Sequence, residues 1–476
     1  IQTNHPLLRS QANMDRNRMQ KITPNPKNYF VLHRIIVSSL VLLLSCTAAS
    51  GQQAPYKPLI SRLAKDLDTS LYTITIKADK PPLLLDLAGS LVWSTCPPSA
   101  QSTVACGSAE CGGAASQECP RRCLHVDGGQ LGDSGSSCAC AGNPVTRQCS
   151  TAGLTSLAMS ANATDGAMEL PPEESFAILG ACAPDSLPRS LPAGVTGVAG
   201  FSRRPLSLPS QLAAQRGFGG KFALCLPVFA IFGDSPVNLT APGQAPGYVD
   251  YTTVIPYTPL LTNPANAAGY YIPVKSISVA WHEADAQAIL PSSALDLDPG
   301  AGTGGVVLST ATPYMIMRPD VYEPFAKAFD DAFTRYIRYA FAARARGRNV
   351  PETSVERVPA PKPFEICYNA GFMRLKRPSA YDVPRIQLEL GAGATWKNWT
   401  LYGDNYLVKV GGALCLGILP MGPGGMPVDG EPAVVIGAKQ LENNLLVFDL
   451  EKQVLGFSML LDFALSSCTS SNFLRN

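Results

Sequence analysis

Two short apolar runs of this sequence each end in a polar residue that is followed by small residues. The run LLLDLAG (83–89) places Asp86 at the end of a predicted strand, and VVLSTAT (306–312) places Ser309 at the corresponding point. A carboxylate at such a strand end is a typical general acid or base. If the two runs repeat one motif, Asp86 and Ser309 occupy equivalent positions of a single site.

The chemistry of such a site depends on both positions. Two neighbouring carboxylates share one proton, so that the ionised member deprotonates an attacking water while the protonated member hydrogen-bonds a substrate carbonyl. A serine hydroxyl does not ionise near neutral pH, so with Ser309 opposite Asp86 the shared proton is lost. Losing one acid–base partner lowers the rate by about 10²- to 10⁴-fold. The pair therefore predicts no effective catalysis.

Other catalytic or metal-dependent chemistries find little support. His125 and His282 are the histidines that follow residue 50, and neither lies in a nucleophile elbow or an H-x-x-x-H frame. GAGTGG (300–305) matches a dinucleotide-binding pattern, but it follows no predicted strand and precedes no helix. The cysteines lack the paired C-x-x-C spacing of zinc ribbons. We expect no metal and no cofactor.

Composition indicates the architecture that must position this site. The chain has 476 residues, of which 46% are hydrophobic and 16% charged, with 41 Gly and 41 Pro. This length allows two cores, and many turn residues with little charge favour short strands over helical bundles. We therefore expect an all-β fold. A net charge of +2 gives no reason to expect a nucleic acid or an anionic membrane as partner.

The segment IIVSSLVLLLSCTAAS (35–50) follows a His-Arg pair and ends in small residues. This is the layout of a secretory signal with cleavage near Ser50 or Gly51, and its apolar run is too short to span a bilayer comfortably. We therefore expect a secreted, extracellular or apoplastic protein without a membrane span. Three sequons predict glycans on exposed turns, at Asn162, Asn238 and Asn398.

Fourteen cysteines in a secreted chain indicate disulfides. Removal of Cys46 with the signal leaves thirteen, so one is left over, and Cys138 or Cys140 is the candidate. The disulfide candidates are Cys96, Cys106, Cys111, Cys119, Cys123, Cys149, Cys182, Cys225, Cys367, Cys415 and Cys468.

Periodicity predicts the main elements. Residues 71–86 give a strand, a turn and a strand, and 205–227 give a short helix followed by a strand. Residues 318–348 place Val321, Phe325 and Phe329 at helical spacing. The end of the chain, 433–458, again predicts strands around a turn.

Four blocks of the sequence, in order, resemble segments of the pepsin-type aspartic proteases: LLLDLAGSLVWSTC, GVTGVAGFSRRPLSLPSQL with FALCLP, GGVVLSTATPYMIMRPDVY, and VVIGAKQLENNLLVFDLEKQVLGFS. The likeness covers residues 58–470 and is closer to the plant xylanase-inhibitor and basic-globulin branch. It implies an all-β, two-lobed, pepsin-like double β-barrel with few short helices and many disulfides. The implied division is an upstream segment with signal (1–50), an N-terminal lobe (51–256) and a C-terminal lobe (257–476).

The resemblance makes Asp86 and Ser309 the two positions of the catalytic dyad. The family's Asp-Thr-Gly becomes Asp86-Leu87-Ala88, and its Asp-Ser-Gly becomes Ser309-Thr310-Ala311. The first change removes a hydroxyl that elsewhere ties the two active-site loops together. No tyrosine that would match the family's flap is found in 150–166. These departures imply a catalytically inactive homologue.

In the xylanase-inhibitor branch, loops of the C-terminal lobe block the cleft of a microbial endoxylanase, and a histidine near the chain end enters its active site. Asp462 stands where that histidine is expected. The resemblance thus implies a monomeric plant-defence inhibitor whose partner is a secreted microbial glycoside hydrolase. A basic-globulin-like hormone-binding or storage protein and a residual aspartic endopeptidase are the alternatives.

Overall fold

Strands dominate the chain, as its short apolar and alternating runs predict. The computed structural model describes residues 56–76, 81–96, 104–105, 107–115, 123–126, 138–240, 247–281, 284–344, 357–369 and 383–470. Residues 56–476 form one compact unit. The predicted signal at 1–50, His282, Cys106 and Cys119 lie outside the described residues. The expected all-β class is confirmed.

Seven strands of the first half close into a barrel. The strands of this half are β1 (Leu59–Lys65), β2 (Tyr72–Thr75), β3 (Leu83–Asp86), β4 (Val92–Thr95), β5 (Leu124–His125), β6 (Ala139–Gly142), β7 (Gln148–Thr164), β8 (Glu169–Ala183), β9 (Gly197–Gly200), β10 (Lys221–Cys225), β11 (Phe229–Phe232), β12 (Asn238–Thr240) and β13 (Tyr248–Asp250). The barrel order is β1-β2-β3-β9-β4-β8-β7, and β7 pairs back with β1. All four residues of β3 are buried, and Asp86 is its last residue.

The second half distributes its strands over several sheets. These strands are β14 (Tyr257–Pro259), β15 (Leu261–Asn263), β16 (Asn266–Ile272), β17 (Val274–Trp281), β18 (Ala284–Gln287), β19 (Leu297–Asp298), β20 (Thr303–Gly304), β21 (Val306–Leu308), β22 (Met315–Met317), β23 (Cys367–Asn369), β24 (Arg385–Leu390), β25 (Asn398–Leu401), β26 (Leu407–Val410), β27 (Ala413–Leu416), β28 (Ile418–Pro420), β29 (Val434–Ile436), β30 (Leu445–Asp449) and β31 (Val454–Phe457). The largest of these sheets, β15-β16-β21-β29-β22-β28, carries β21 near its middle, directly before Ser309.

One sheet joins the two halves. Strands β30, β31 and β14 extend the sheet of β10 and β11, with β10 antiparallel to β30. At this joint the rings of Phe222 and Phe448 stack with centroids 4.5 Å apart, and Tyr270 packs 4.7 Å from Phe448. The division between residues 256 and 257 stays a prediction, because strands from the end of the chain complete a sheet of the first half.

Helices occupy a small part of the chain: α1 (Ala109–Ala115), α2 (Leu208–Arg216), α3 (Pro319–Arg344), α4 (Gly403–Tyr406) and α5 (Ala438–Leu441). Helix α3, with 26 residues, is longer than the short helices that the resemblance implies. Its buried stripe includes Val321, Phe325, Phe329 and Phe333, as the helical spacing predicts. Within the described residues, no helix is long and apolar enough to cross a bilayer.

The chain is rich in disulfides, as expected. The described pairs are Cys96–Cys182, Cys111–Cys138, Cys123–Cys149, Cys225–Cys468 and Cys367–Cys415. Cys140 is also disulfide-bonded, and its sulfur lies within 4.8 Å of those of Cys123 and Cys149. The prediction that Cys138 or Cys140 is left over is therefore wrong. Spacing alone could not exclude it, because the partner of Cys138 is Cys111, and the sequence does not specify how the helix that carries Cys111 packs beside β6.

The three sequon asparagines lie in strands rather than on turns. Asn162 is in β7, Asn238 in β12 and Asn398 in β25, and each is half-buried. The Asn162 amide donates a hydrogen bond of 2.9 Å to the Glu169 carboxylate. The expectation of exposed turns is therefore wrong, since the local polar composition did not reveal the strand pairing. Glycosylation at these asparagines remains a prediction.

Candidate functional site

Asp86 and Ser309 lie at equivalent points of two similar strand arrangements. Strand β3 runs parallel to β9, which pairs antiparallel with β4. In the same way, β21 runs parallel to β29, which pairs antiparallel with β22. Asp86 ends β3, and the Ser309 N–H continues the second ladder by donating to the Ile436 carbonyl at 2.9 Å. The repeat predicted from the sequence is thus present in three dimensions.

A glycine at the end of the central strand permits each arrangement. A Cβ on Gly200 would collide with the backbone carbonyls of Gly89 and Leu91, and a Cβ on Gly437 would collide with the backbone of Tyr314. In both places the chain passes too closely for any side chain. These contacts bring the loops that follow β3 and β21 to the same cleft.

Asp86 and Ser309 line one cleft without a hydrogen bond between them. Asp86 is 6% exposed and accepts the Ala88 N–H at 2.9 Å. Ser309 is 1% exposed, and its hydroxyl lies 3.1 Å from the Thr312 hydroxyl. Among the described residues, no hydrogen bond joins the Asp86 carboxyl to the Ser309 hydroxyl. The serine side chain is thus committed to its own loop.

Thr310 ties the two strand ends together. Its buried hydroxyl donates to the Leu85 carbonyl at 2.8 Å and accepts the Leu87 N–H at 3.0 Å. Leu87 is fully buried in the main hydrophobic core, and its side chain has no hydroxyl to return such a bond. The hydrogen bonds between the two loops, which the change to Leu87 was expected to remove, are therefore provided by Thr310 of the second half. The sequence analysis did not identify this role of Thr310.

Burial controls the ionisation of Asp86. Removal from water raises the pKa of the Asp86 carboxyl to about 6, from an ordinary value of 3.8, against a smaller lowering by the backbone N–H groups of Ala88 and Gly89. No charged group contributes to this pKa shift. Asp86 is therefore largely protonated in acid and ionised at neutral pH.

The cleft has a volume of about 440 Å³. Leu91, Trp93 and Val198 line it from the first half of the chain, and Met426 and Val428 line it from the second. This size is typical of small-molecule sites. Polar and charged residues line the cleft as well, among them Asn143, Arg204 and Asp429.

A turn from the first half crosses the mouth of this cleft. The turn, residues 143–147, joins β6 to β7 and is held by the buried Asn143 side chain, whose amide donates to the Leu187 carbonyl at 2.8 Å. Arg147, at a φ of +59°, donates to the Gly424 carbonyl at 3.0 Å and to the Met426 carbonyl. We call these two hydrogen bonds the Arg147 clasp.

The turn that covers the cleft lies before residues 150–166, where the sequence analysis expects the flap. The segment that covers the cleft precedes Cys149, whereas most of 150–166 lies within β7. The covering turn, Asn-Pro-Val-Thr-Arg, also lacks a tyrosine. Nothing in the local sequence marks Arg147, because its partners lie more than 270 residues away.

Asp462, His125 and the GAGTGG segment are not among the described residues that line the cleft. Asp462 is half-buried in a short 3₁₀ helix (Leu461–Ala464), and its carboxylate accepts the Asn443 amide at 2.8 Å. His125 is exposed in β5. The GAGTGG segment contains part of the turn between β19 and β20 and the short strand β20 itself. It thus connects two strands, in agreement with its assignment as a loop.

Replacement of Thr310 tests the tie between the strand ends. Thr310→Val removes two hydrogen bonds and leaves the Leu87 N–H buried without a partner, so the free energy of unfolding should fall by about 2–4 kcal/mol. Thr310→Ser keeps the hydroxyl and should cost about 1 kcal/mol for the lost methyl group. Urea denaturation measures both, and equal losses would contradict the role of the hydroxyl.

The pKa of Asp86 predicts how stability depends on pH. Because this pKa is raised on folding, the folded state binds the proton more tightly, and this stabilisation is complete below about pH 4 and lost as the pH rises through 6. Asp86→Asn cannot ionise, so relative to it the native protein should lose about 2 kcal/mol between pH 4 and 7.5. Urea titrations of both proteins across this range provide the measurement, and parallel pH profiles would disprove the assignment.

Known proteins share the whole of this architecture. The family model described as Xylanase inhibitor N-terminal matches residues 72–234, and Xylanase inhibitor C-terminal matches residues 269–459. A relative from Oryza sativa subsp. japonica, named Chitinase CLP, is 38% identical over 462 residues, covering 93% of this chain and 99% of the relative.

Solved structures agree with these matches. The crystal structure of edgp is 29% identical with a TM-score of 0.71, covering 88% of this chain and 98% of that one. The structure of conglutin gamma, described as a basic 7S globulin from lupine seeds, is 25% identical with a TM-score of 0.63, covering 89% of this chain and 100% of that one. The chain therefore has the predicted pepsin-like fold and belongs to the xylanase-inhibitor family.

Proposed function

We propose that this chain is a secreted, non-catalytic pepsin-like protein that inhibits a microbial endoxylanase or a related cell-wall glycosidase in plant defence. The observation that carries the proposal is the serine opposite Asp86. Pepsin-type hydrolysis needs a second carboxyl group to share the proton, and Ser309 instead directs a buried hydroxyl at Thr312.

The cleft entrance supports the same conclusion. A substrate polypeptide must lie extended across the dyad, between the flap and the floor. In this chain the Arg147 clasp joins the covering turn to Gly424 and Met426 at that place. An extended peptide would have to break both hydrogen bonds before reaching Asp86. Recognition by the outer surface is therefore favoured over proteolysis in the cleft.

We propose that the target enzyme binds to the C-terminal loop, residues 462–468. The Cys225–Cys468 disulfide holds one end of the loop, and the Asn443 side chain binds both the Asp462 carboxylate and the Cys468 N–H. Between these anchors Leu465 is 58% exposed at a φ of +55°. A rigid loop with an exposed apolar apex loses little entropy on binding.

Asp462 limits how this loop can inhibit a retaining xylanase. The active site of such an enzyme contains two carboxyl groups, and a third carboxylate is repelled unless a proton is taken up. The hydrogen bond from Asn443 orients Asp462 within its own chain. We therefore infer that the unmodified loop inhibits such a xylanase weakly or acts on a different glycosidase.

Inhibition assays with a panel of secreted microbial xylanases test this assignment. Asp462→His should strengthen inhibition about tenfold or more, equivalent to about 1.4 kcal/mol, because the repulsion is removed. Leu465→Ala should weaken it, whereas Leu67→Ala, at a leucine that is 85% exposed in the β1–β2 turn, should leave it unchanged. Potent inhibition by the native protein that does not respond to Asp462→His would refute the role of Asp462.

Glycoside hydrolysis is a second candidate function. The relative from rice is named a chitinase, and the cleft is lined by two carboxylic residues, Asp86 and Asp429. Burial raises the pKa of Asp86 to about 6, which suits a general acid. Ser309 still leaves the strand-end position without a carboxyl group, so we rank this function below inhibition.

Activity assays distinguish these functions. The native protein should hydrolyse neither chitin oligosaccharides nor a denatured protein at acidic pH, with or without pepstatin. Hydrolysis of either substrate that Asp86→Asn abolishes would refute the non-catalytic proposal. If the protein neither cleaves these substrates nor binds any glycosidase of the panel, a globulin-like storage or hormone-binding role, as in the likeness to conglutin gamma, becomes the better proposal.

A further inference from the structure

Asp86 is a buried carboxylate without a positively charged partner in the described part of the chain. Its hydrogen bonds come from the backbone N–H groups of Ala88 and Gly89, and none of the described ion pairs includes it. An ionised carboxylate removed from water is unfavourable by several kcal/mol unless a cation compensates it. At neutral pH a cation bound beside the Asp86 carboxylate would therefore be stabilising.

The other charged residues of the cleft do not compensate the negative charge of Asp86. Arg147 is engaged by the carbonyls of Gly424 and Met426. Arg204 and Asp429 line the cleft with opposite charges. None of these three residues contributes to the pKa shift of Asp86, which arises from burial and from backbone hydrogen bonds.

The surroundings of Asp86 define the shape and polarity of a ligand. The Ser309 and Thr312 hydroxyls line the cleft together with Asp86 and provide further acceptors. The lining also includes apolar side chains from both halves, with Leu91 and Val198 from the first and Met426 from the second. A volume of about 440 Å³ holds a small molecule, and the Arg147 clasp excludes an extended chain.

We propose that this cleft binds a small amphipathic amine, with its ammonium group on the Asp86 carboxylate and its apolar body between the walls of the two halves. An ammonium group carries three N–H donors, so the Ser309 and Thr312 hydroxyls can accept those that Asp86 leaves. This binding goes beyond glycosidase inhibition, because it uses the cleft rather than the C-terminal loop. Either property can therefore fail without the other.

Calorimetric titration of the full chain with benzylamine and with benzyl alcohol tests the proposal. Benzylamine stays protonated from pH 5 to 7, while Asp86 changes from mostly neutral to mostly ionised. The affinity for benzylamine should therefore rise about tenfold across this range, and that for benzyl alcohol, which has the same apolar body, should not change. Absence of benzylamine binding at pH 7, or equal pH-independent affinities for both probes, would overturn the proposal.

Two carboxylate variants locate the effect. Asp86→Asn should abolish the rise in benzylamine affinity between pH 5 and 7, whereas Asp429→Asn, at the other acid of the cleft, should preserve that rise. The reverse result would assign the amine to Asp429 and overturn the proposal. Because the pH profile of the native protein is measured without any mutation, a variant that fails to fold does not leave the question open.

Discussion

The meeting of two strand ends at one buried hydroxyl is the constraint on which the rest of the structure depends. Thr310 comes from the second half of the chain, yet both of its hydrogen bonds are to the backbone of β3 and its following loop in the first. This contact, together with the close passages at Gly200 and Gly437, places Asp86 and Ser309 in one cleft. The hydrogen bonds of Thr310 thus hold the two strand ends together beneath the cleft.

The chemistry of that floor follows from its asymmetry. One half contributes a carboxyl group whose pKa is raised by burial, and the other contributes a hydroxyl that is bound to its neighbour. Proton sharing between two carboxyl groups is therefore absent, but the uncompensated negative charge of Asp86 remains. A site with one carboxyl group cannot share a proton between two acids, but its carboxylate still attracts a cation. The proposed absence of pepsin-type catalysis and the proposed binding of an amine both rest on the single carboxyl group of this floor.

Much of the fold was predictable from the sequence because β3, β21 and β29 are short, are apolar apart from Asp86 at the end of β3, and are followed within three residues by small residues or glycine. Such segments have few alternatives to a buried strand. Helix α3 was also predictable, since its aromatic residues repeat at helical spacing. The predictions failed where pairing between distant segments decides the outcome. The partner of Cys138 depends on how helix α1, which carries Cys111, packs beside β6, and the strand environment of Asn162 depends on the register of β7 with β8. Local composition carries no record of either.

The sequence by itself determined which groups stand at the two strand ends, and therefore that only one of them can ionise, because acidity is a property of the side chain before it folds. Only the tertiary structure decided that Asp86 is buried, with no cation beside it in the described part of the chain, and that Arg147 crosses the cleft to Gly424 and Met426. Burial and long-range hydrogen bonds arise when segments hundreds of residues apart are packed together. They set the pKa of Asp86 and the access to it, which the order of residues along the chain does not specify.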